Sequence, residues 1–146
     1  MRIAVAADHA GFEAKQRLVR ELERLGHEVQ DFGAASTESS DYPDYAIPAA
    51  RAVADGKADR AILVCGNGIG MGMTANRIPG VRAAVVYSDS SAETTRRHHD
   101  SNALCLGARE FPFVKLLEWA RIWLETPPDG GRHERRVSKF EALERK

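Results

Sequence analysis

Residues 59–72, DRAILVCGNGIGMG, decide the fold because they join a buried strand, a glycine-rich turn and the start of a helix. The strand portion, Asp59–Cys65, is nearly all apolar, which is typical of a strand buried on both faces of a parallel sheet. Glycines then stand at alternate positions (66, 68, 70 and 72), although glycine carries a high cost in chain entropy. We therefore expect a loop of main-chain N–H groups at the carboxyl end of a strand, where ligands bind in open α/β sheets.

The same alternation of apolar runs and helical patterns continues on both sides of this segment. Strands are predicted at Arg2–Ala7, His27–Phe32, Asp59–Cys65, Arg82–Ser88 and Asn102–Gly107. The first and fourth, RIAVAA and RAAVVYS, are also nearly all apolar and should be buried on both faces. Helices are predicted at Gly11–Leu25, Ile47–Ala54 with Pro48 in its first turn, Gly70–Asn76, Ser90–His98 and Pro112–Glu125. This order predicts a three-layer, doubly wound α/β domain with a five-stranded, Rossmann-like parallel sheet.

A break at Thr126–Gly131, TPPDGG, separates this domain from the end of the chain. Beyond it, Val137, Phe140 and Leu143 recur every third residue and predict a short final helix. We expect residues 1–125 to form the α/β domain and residues 126–146 to form a tail. That tail either folds back on its own chain or docks on another subunit.

Composition excludes several classes of protein. The 146 residues include 21 Lys plus Arg and 21 Asp plus Glu, and a formal net charge of zero disfavours a general nucleic-acid binder. No apolar run approaches the roughly 18 residues that span a bilayer, so no membrane partner is expected. Asp8 and His9 interrupt the first apolar run too early for a signal peptide. Two cysteines, Cys65 and Cys105, make no disulfide framework, and a cytoplasmic location is expected.

Polar residues follow most of the predicted strands at their carboxyl ends. They are Asp8 and His9 after the first strand, the Cys65 loop after the third, and Arg109 after the last. His98 and His99 instead precede the last strand and should lie at the opposite edge of the sheet. They can approach Cys65 only if the chain bends unusually or if a second subunit supplies them.

The glycine loop fails three familiar motifs. Met71 stands where a dinucleotide fingerprint needs its last glycine and also where a Cys-x5-Arg phosphatase loop needs arginine. No Gly-Lys-Ser/Thr follows, which excludes a Walker A loop. The remaining possibility is a nest of N–H groups that stabilises negative charge, beside a thiol whose thiolate form a helix N-terminus favours. The alternative is a structural cysteine with glycines that allow close packing.

Structural alternatives also exist for the other candidate residues. Asp8 can serve as a helix cap, and His98 and His99 can be solvated residues at a helix end. A metal site of His98, His99 and Asp100 is disfavoured because adjacent residues do not share a helix face. Arg132 and Arg136 lie four residues apart and can clamp a phosphate, or they belong to a solvated charged run.

Six blocks of sequence, in order, resemble the ribose-5-phosphate isomerase type B family, which includes galactose-6-phosphate isomerase subunits. The blocks are AADHAGFEAK (6–15), SDYPDYA (40–46), CGNGIGM with TANR (65–71 and 74–77), GVRAAV (80–85), RRHHDSNALCLGAR (96–109) and GGRHERRV (130–137). The resemblance implies a sheet of order 2-1-3-5-4 and a homodimer or homotetramer with active sites shared between subunits. It implies a metal-free, cofactor-free aldose–ketose isomerisation of a sugar phosphate in carbohydrate metabolism.

Roles carry over onto matching positions. The resemblance implies that Cys65 moves a proton between C1 and C2 and that His98 of another subunit opens the furanose ring. It implies that Asp8 and Tyr42 contact sugar hydroxyls. The resemblance also implies that the main-chain amides of Gly66, Gly68 and Gly70 bind the enediolate oxygen. It implies that the phosphate is held by Arg132, Arg136, His9 and Arg109.

The chain departs from the family pattern at two pocket positions. Asn67 stands where the family commonly has Thr or Ser beside the base, and His99 stands where it usually has an Asn facing the substrate. Met71 occupies the position of the glutamate base of one subfamily, so the chain matches the cysteine type. Ribose 5-phosphate is the expected substrate, with tetrose and hexose phosphates as alternatives. A non-catalytic sugar-phosphate-binding subunit and a phosphocarrier or phosphatase that uses Cys65 are the competing classes.

Overall fold

One parallel sheet in the order β2-β1-β3-β5-β4 organises the computed structural model, which describes residues 1–144. The strands are β1 (Arg2–Ala7), β2 (Glu28–Asp31), β3 (Arg60–Cys65), β4 (Ala83–Val85) and β5 (Ala103–Gly107). The helices are α1 (Phe12–Arg24), α2 (Tyr42–Ala54), α3 (Ile69–Ala75), α4 (Asp89–His99), α5 (Phe113–Glu125) and α6 (Arg132–Glu141), followed by a 3-10 turn, Ala142–Glu144. The predicted fold class and strand order are confirmed.

Helices cover both faces of the sheet and produce three layers. On one face, large side chains of α1 and α5, together with Ala92 of α4, pack with alternate residues of β1, β3 and β5, and Trp123 is fully buried there. On the other face, alanines of α2 and α3 pack with the intervening residues, which lets those helices approach closely. Ile3 to Ala7 and Ala61 to Val64 are all inaccessible, so β1 and β3 are buried on both faces as predicted.

Strand β4 differs from its prediction. Its three residues are partly exposed because β4 is an edge strand that pairs only with β5. The prediction that β4 is buried on both faces, which rested on its apolar sequence, was therefore wrong for a single chain.

Helix α2 begins five residues earlier than the prediction of Ile47–Ala54. Pro43 occupies the first turn, where a missing N–H costs nothing, whereas Pro48 lies inside the helix. Placing Pro48 in the first turn was wrong. The earlier start brings Tyr42 to the carboxyl edge of the sheet.

The tail folds back on its own chain. Helix α6 packs against α4 and buries Val137, and Arg82 of the strand edge pairs with Glu141. Phe140 and Leu143 stay exposed, so part of the predicted apolar stripe is uncovered in one chain. Docking of this tail on a partner subunit stays a prediction, and its residues 145 and 146 lie outside the described range. Among the described helices, none combines the length and apolar character that crossing a bilayer requires.

Candidate active site

Cys65 ends β3 at the floor of a cleft of about 490 Å³. Its residue exposure is only 4%, yet it lines the open cleft together with Gly66 and Asn67. The main-chain N–H of Gly68 donates to the Cys65 Sγ over 3.2 Å. The sulfur therefore has a main-chain donor on one side and the open cleft on the other.

The loop conformation that provides this bond requires glycine at position 68. Gly68 has φ +81°, and a Cβ there would lie 3.1–3.2 Å from main-chain atoms of Cys105 and Leu106 in β5. Gly107 likewise leaves room for the main chain of Asn67, since a Cβ at Gly107 would lie 2.8 Å from Asn67 Cα. Both glycines therefore allow close packing, while the presentation of loop amides to a ligand stays a prediction.

Helix α3 presents its first turn to the cleft. The exposed Asn67 side chain accepts a hydrogen bond from the Ile69 N–H through Oδ1 at 3.0 Å. The next amide, that of Gly70, belongs to the first turn, where N–H groups lack partners within the helix. The ring of Tyr42 lies against Gly70, where a Cβ would approach Tyr42 Cζ to 2.6 Å. Asn67, Gly70 and Tyr42 thus form one wall of the cleft.

Asp8 and Arg109 complete the cleft from the neighbouring strands β1 and β5. Asp8 is 8% exposed, and its Oδ1 accepts from the N–H groups of Ala10 and Gly11 at 3.0 and 3.2 Å. These bonds form a turn ahead of α1, whose N-cap is Gly11, so the interpretation of Asp8 as the helix cap was wrong, and Asp8 lines the cleft. The structure adds Glu110, Ile69 and Met73 to the lining, none of which the sequence analysis singled out.

His9 lies outside the lining of this cleft. The ring Nδ1 of His9 accepts a hydrogen bond from the main-chain N–H of Ser40 at 3.1 Å, and the main-chain N–H of His9 donates to Ser40 Oγ at 3.1 Å. These bonds orient the imidazole and tie the end of β1 to the segment before α2. A role of His9 toward phosphate stays a prediction.

A second cluster lies at the opposite edge of the sheet, where α4 ends. The rings of His98 and His133 stack in parallel, with centroids 4.0 Å apart and an interplanar angle of 4°. Both residues line a cavity of about 380 Å³ with Asp129 and Arg97. Loss of hydration, and then the charges of His98 and Arg132, lower the pKa of His133.

His99 follows His98 in the chain but lines a different part of the surface. It lines a separate depression beside Phe140 and Leu143. The rings of His98 and His99 are 6.2 Å apart and nearly perpendicular. Within one chain His99 therefore lies next to His98 and does not line the Cys65 cleft.

The predicted site residues thus fall into two groups within one chain. The Cys65 cleft contains Asp8, Tyr42, Cys65, Gly66, Asn67, Gly70 and Arg109, with Gly68 hydrogen-bonded to the sulfur. His98 lies at the far edge, and Arg132 and Arg136 follow on the exposed face of α6 beside His133. The predicted separation of His98 from Cys65 is confirmed, and the chain does not bend to close it. In the sequence His133 belongs to the basic run 132–136, where only the arginines suggested a role.

A doubly wound α/β fold with a thiol beside main-chain donors defines an enzyme site suited to moving a proton next to a carbonyl. Known proteins agree with that class. A sequence model of the ribose/galactose isomerase family matches residues 3–140, and the chain belongs to this family. It is therefore a sugar-phosphate isomerase.

Individual relatives match along almost the whole chain. Ribose-5-phosphate isomerase B of Escherichia coli is 42% identical over 149 residues, which covers 99% of this chain and 97% of the relative. The structure of ribose-5-phosphate isomerase B from Clostridium thermocellum superposes with a TM-score of 0.97 at 40% identity, over 99% of this chain and 97% of that one. The Mycoplasma genitalium enzyme with bound ribulose 5-phosphate has a TM-score of 0.95 at 34% identity, over 99% and 97% of the two chains.

Proposed function

We propose that this isomerase interconverts ribose 5-phosphate and ribulose 5-phosphate, with Cys65 as the base. The names of its relatives support the substrate, and one observation carries the mechanism: the Cys65 Sγ faces an open cleft and accepts the Gly68 N–H at 3.2 Å. The thiolate removes the proton at C2 of the open-chain aldose, and the C2 electron pair forms the C1–C2 double bond of an enediolate. The same carbon-bound proton returns at C1, while the C1 oxygen gains a proton and the C2 hydroxyl gives one up, which produces the ketose.

Main-chain amides stabilise the enediolate oxygen in this proposal. Gly68 donates to the sulfur, so it serves the substrate only by releasing that bond. The amides of Gly66 and Gly70 are therefore the principal donors, each worth about 2.7–4 kcal/mol by comparison with other oxyanion donors. Asp8 and Tyr42 contact the sugar hydroxyls from the neighbouring walls of the cleft.

A partner subunit completes the site. We assign ring opening to His98 of a second copy, because His98 lies at the opposite sheet edge from Cys65 in its own chain. Ile69 and Met73, 51% and 67% exposed on α3 beside the cleft, offer an apolar surface for that copy. A homodimer, free or paired into a tetramer, follows from this arrangement, and the cytoplasm is its proposed location.

The phosphate belongs at the far end of the shared site. The Cys65 cleft has two carboxylates, Asp8 and Glu110, against the single cation Arg109. The tail brings Arg132 and Arg136 to one exposed helix face, which suits an anion. In this proposal residues 126–146 are thus the phosphate-binding and dimerisation tail, assisted by His9 and Arg109.

A hexose or tetrose phosphate is the second candidate substrate. Asn67 stands where the family commonly has a hydroxyl residue. Its Oδ1 accepts a hydrogen bond from the Ile69 N–H, so its amide Nδ2 is the donor that it offers at the cleft wall. His99 differs from the family residue as well. A panel of tetrose, pentose and hexose phosphates, assayed for aldose–ketose conversion, distinguishes these substrates, and the highest kcat/KM on ribose 5-phosphate is expected.

Substitution of the two cysteines tests the base. Cys65→Ala should abolish turnover and leave the urea unfolding curve intact, while Cys105→Ala is the matched control. Cys105 is fully buried, burial raises the pKa of its thiol, and its removal should preserve activity. An active Cys65→Ala enzyme would refute the mechanism. If the unaltered protein binds the sugar phosphates without converting them, a non-catalytic subunit is favoured. A trapped phosphocysteine would favour a phosphocarrier.

The arginine pair tests the phosphate site. Arg136→Ala should raise KM for phosphorylated sugars by more than about tenfold, since a charge-assisted contact contributes about 1.5–3 kcal/mol. Arg135→Ala, one position along the same exposed helix, is the control and should leave KM unchanged. An unchanged KM for Arg136→Ala would place the phosphate elsewhere.

A further inference from the structure

Three side chains of the His98 cluster present metal-binding atoms to one another. One ligand atom from each of His98, Asp129 and His133 lies within 4.8 Å of the other two. Ligand atoms of a tetrahedral zinc ion with bond lengths of about 2.0–2.2 Å lie roughly 3.3–3.6 Å apart, so the imidazoles of His98 and His133 must rotate out of their parallel stack until both direct a ring nitrogen at one ion. Two imidazoles and a carboxylate suit Zn²⁺ and leave a fourth position open.

The protein already holds the third ligand in place. The Asp129 N–H donates to the Arg97 main-chain oxygen at 3.0 Å, and Arg97 Nε donates to Asp129 Oδ1 at 3.1 Å. Such outer contacts orient the ligands of metal sites. Because Arg97 bonds to Oδ1, the other carboxylate oxygen is free to face a metal ion.

We propose that His98, Asp129 and His133 form a binding site for Zn²⁺ and that the ion inhibits the enzyme. This site uses neither His99 nor Asp100, the two residues that follow His98 in the sequence. Its inhibitory effect rests on the proposed function, because an imidazole held by Zn²⁺ cannot exchange the proton that ring opening needs. The metal is an inhibitor here and takes no part in catalysis.

The surrounding charge shapes the affinity. Arg97, Arg132 and Arg136 are close to the cluster and oppose a divalent cation. Zn²⁺ should therefore bind less tightly than in closed structural sites. Mg²⁺, which prefers oxygen ligands in octahedral geometry, should not compete.

Calorimetric titration of the full-length protein with ZnCl2, and with MgCl2 for comparison, tests the site without reference to turnover. We expect one Zn²⁺ per chain, with at least a tenfold weaker affinity in both His133→Ala and Asp129→Asn, a loss comparable to that of other metal-site substitutions. Glu134→Gln, which changes a carboxylate in the same cavity, is the matched control and should bind normally. Urea unfolding of each variant confirms that it is folded.

The thiols supply the competing explanation, because Cys65 can bind Zn²⁺ itself. Binding that survives in Cys65→Ala and Cys105→Ala supports the site, while binding lost with Cys65 or unchanged in both cluster variants overturns it. In the activity assay, chelator-reversible inhibition by Zn²⁺ should need at least tenfold more metal in Asp129→Asn. Stoichiometric binding without inhibition would overturn the inhibitory role, whereas a protein inactive on every sugar phosphate would refute the proposed function and leave the titration valid.

Discussion

Replacing Gly68 with alanine tests how the fold makes the sulfur reactive. Two costs apply: the φ of +81° costs an L-residue roughly 1–2 kcal/mol, and a Cβ 3.1–3.2 Å from the β5 main chain adds about 1–3 kcal/mol of overpacking. The free energy of unfolding should fall by about 2–5 kcal/mol in total. Any shift of the loop also lengthens the N–H to Sγ bond. A hydrogen bond to a charged group contributes about 1.5–3 kcal/mol, so kcat should fall by about 10- to 150-fold.

Gly56→Ala is the matched control for backbone strain. Gly56 has φ +74° after α2, and nothing lies within 4 Å of the Cβ position. This variant should lose only about 1–2 kcal/mol of stability and no activity. Urea unfolding and steady-state kinetics with ribose 5-phosphate measure both quantities. If Gly68→Ala matched Gly56→Ala in stability and turned over at the wild-type rate, the sulfur would not depend on this loop.

Other predictions concern charges in the fold. Lys15 is 1% exposed and pairs with the more accessible Asp31. Asp31→Ala leaves the buried ammonium without its carboxylate and should lower the free energy of urea unfolding by about 3–5 kcal/mol, whereas Lys15→Met should lower it much less. Equal losses in the two variants would contradict this asymmetry. Arg96 is buried and donates to two main-chain oxygens and a carboxylate, so Arg96→Met should lower the free energy of unfolding by about 2–5 kcal/mol. Hydrogen bonds from the Arg2 main chain and side chain lower the pKa of Asp59, so this carboxylate stabilises the fold above its ordinary pKa and loses that effect as pH falls through the lowered value. Asp59→Asn should therefore show a shallower loss of stability between roughly pH 5 and 2, and an unchanged slope would dismiss the effect.

The sequence indicates the sheet and the Cys65 cleft for a physical reason. Continuous apolar runs identify β1 and β3, and polar residues after parallel strands must converge at one edge. The same pattern locates β4 but overestimates its burial, because this apolar edge strand has the sequence of a strand buried on both faces. The start of α2 was predicted too late because a proline is rarer inside a helix than in its first turn, and Pro48 was therefore assigned to the first turn.

Contacts that depend on the path of the tail cannot be predicted from sequence patterns of this kind. The stack of His98 on His133 requires residues 126–131 to turn α6 back onto α4. No periodicity in the sequence encodes that turn. Likewise, the bond between the Gly68 amide and Cys65 Sγ needs Gly68 itself in the left-handed conformation, which a glycine permits but does not specify.

Mixing two inactive variants tests the central claim, that Cys65 of one subunit works with His98 of another. Cys65→Ala and His98→Ala chains, unfolded together and refolded at equal concentration, should form hybrids with one intact and one doubly altered site. With random pairing, half of the dimers are hybrids, so about a quarter of the wild-type activity should return. Each variant refolded separately should stay inactive. Mixtures that contain hybrid dimers yet show no activity above the separate variants would contradict a shared site.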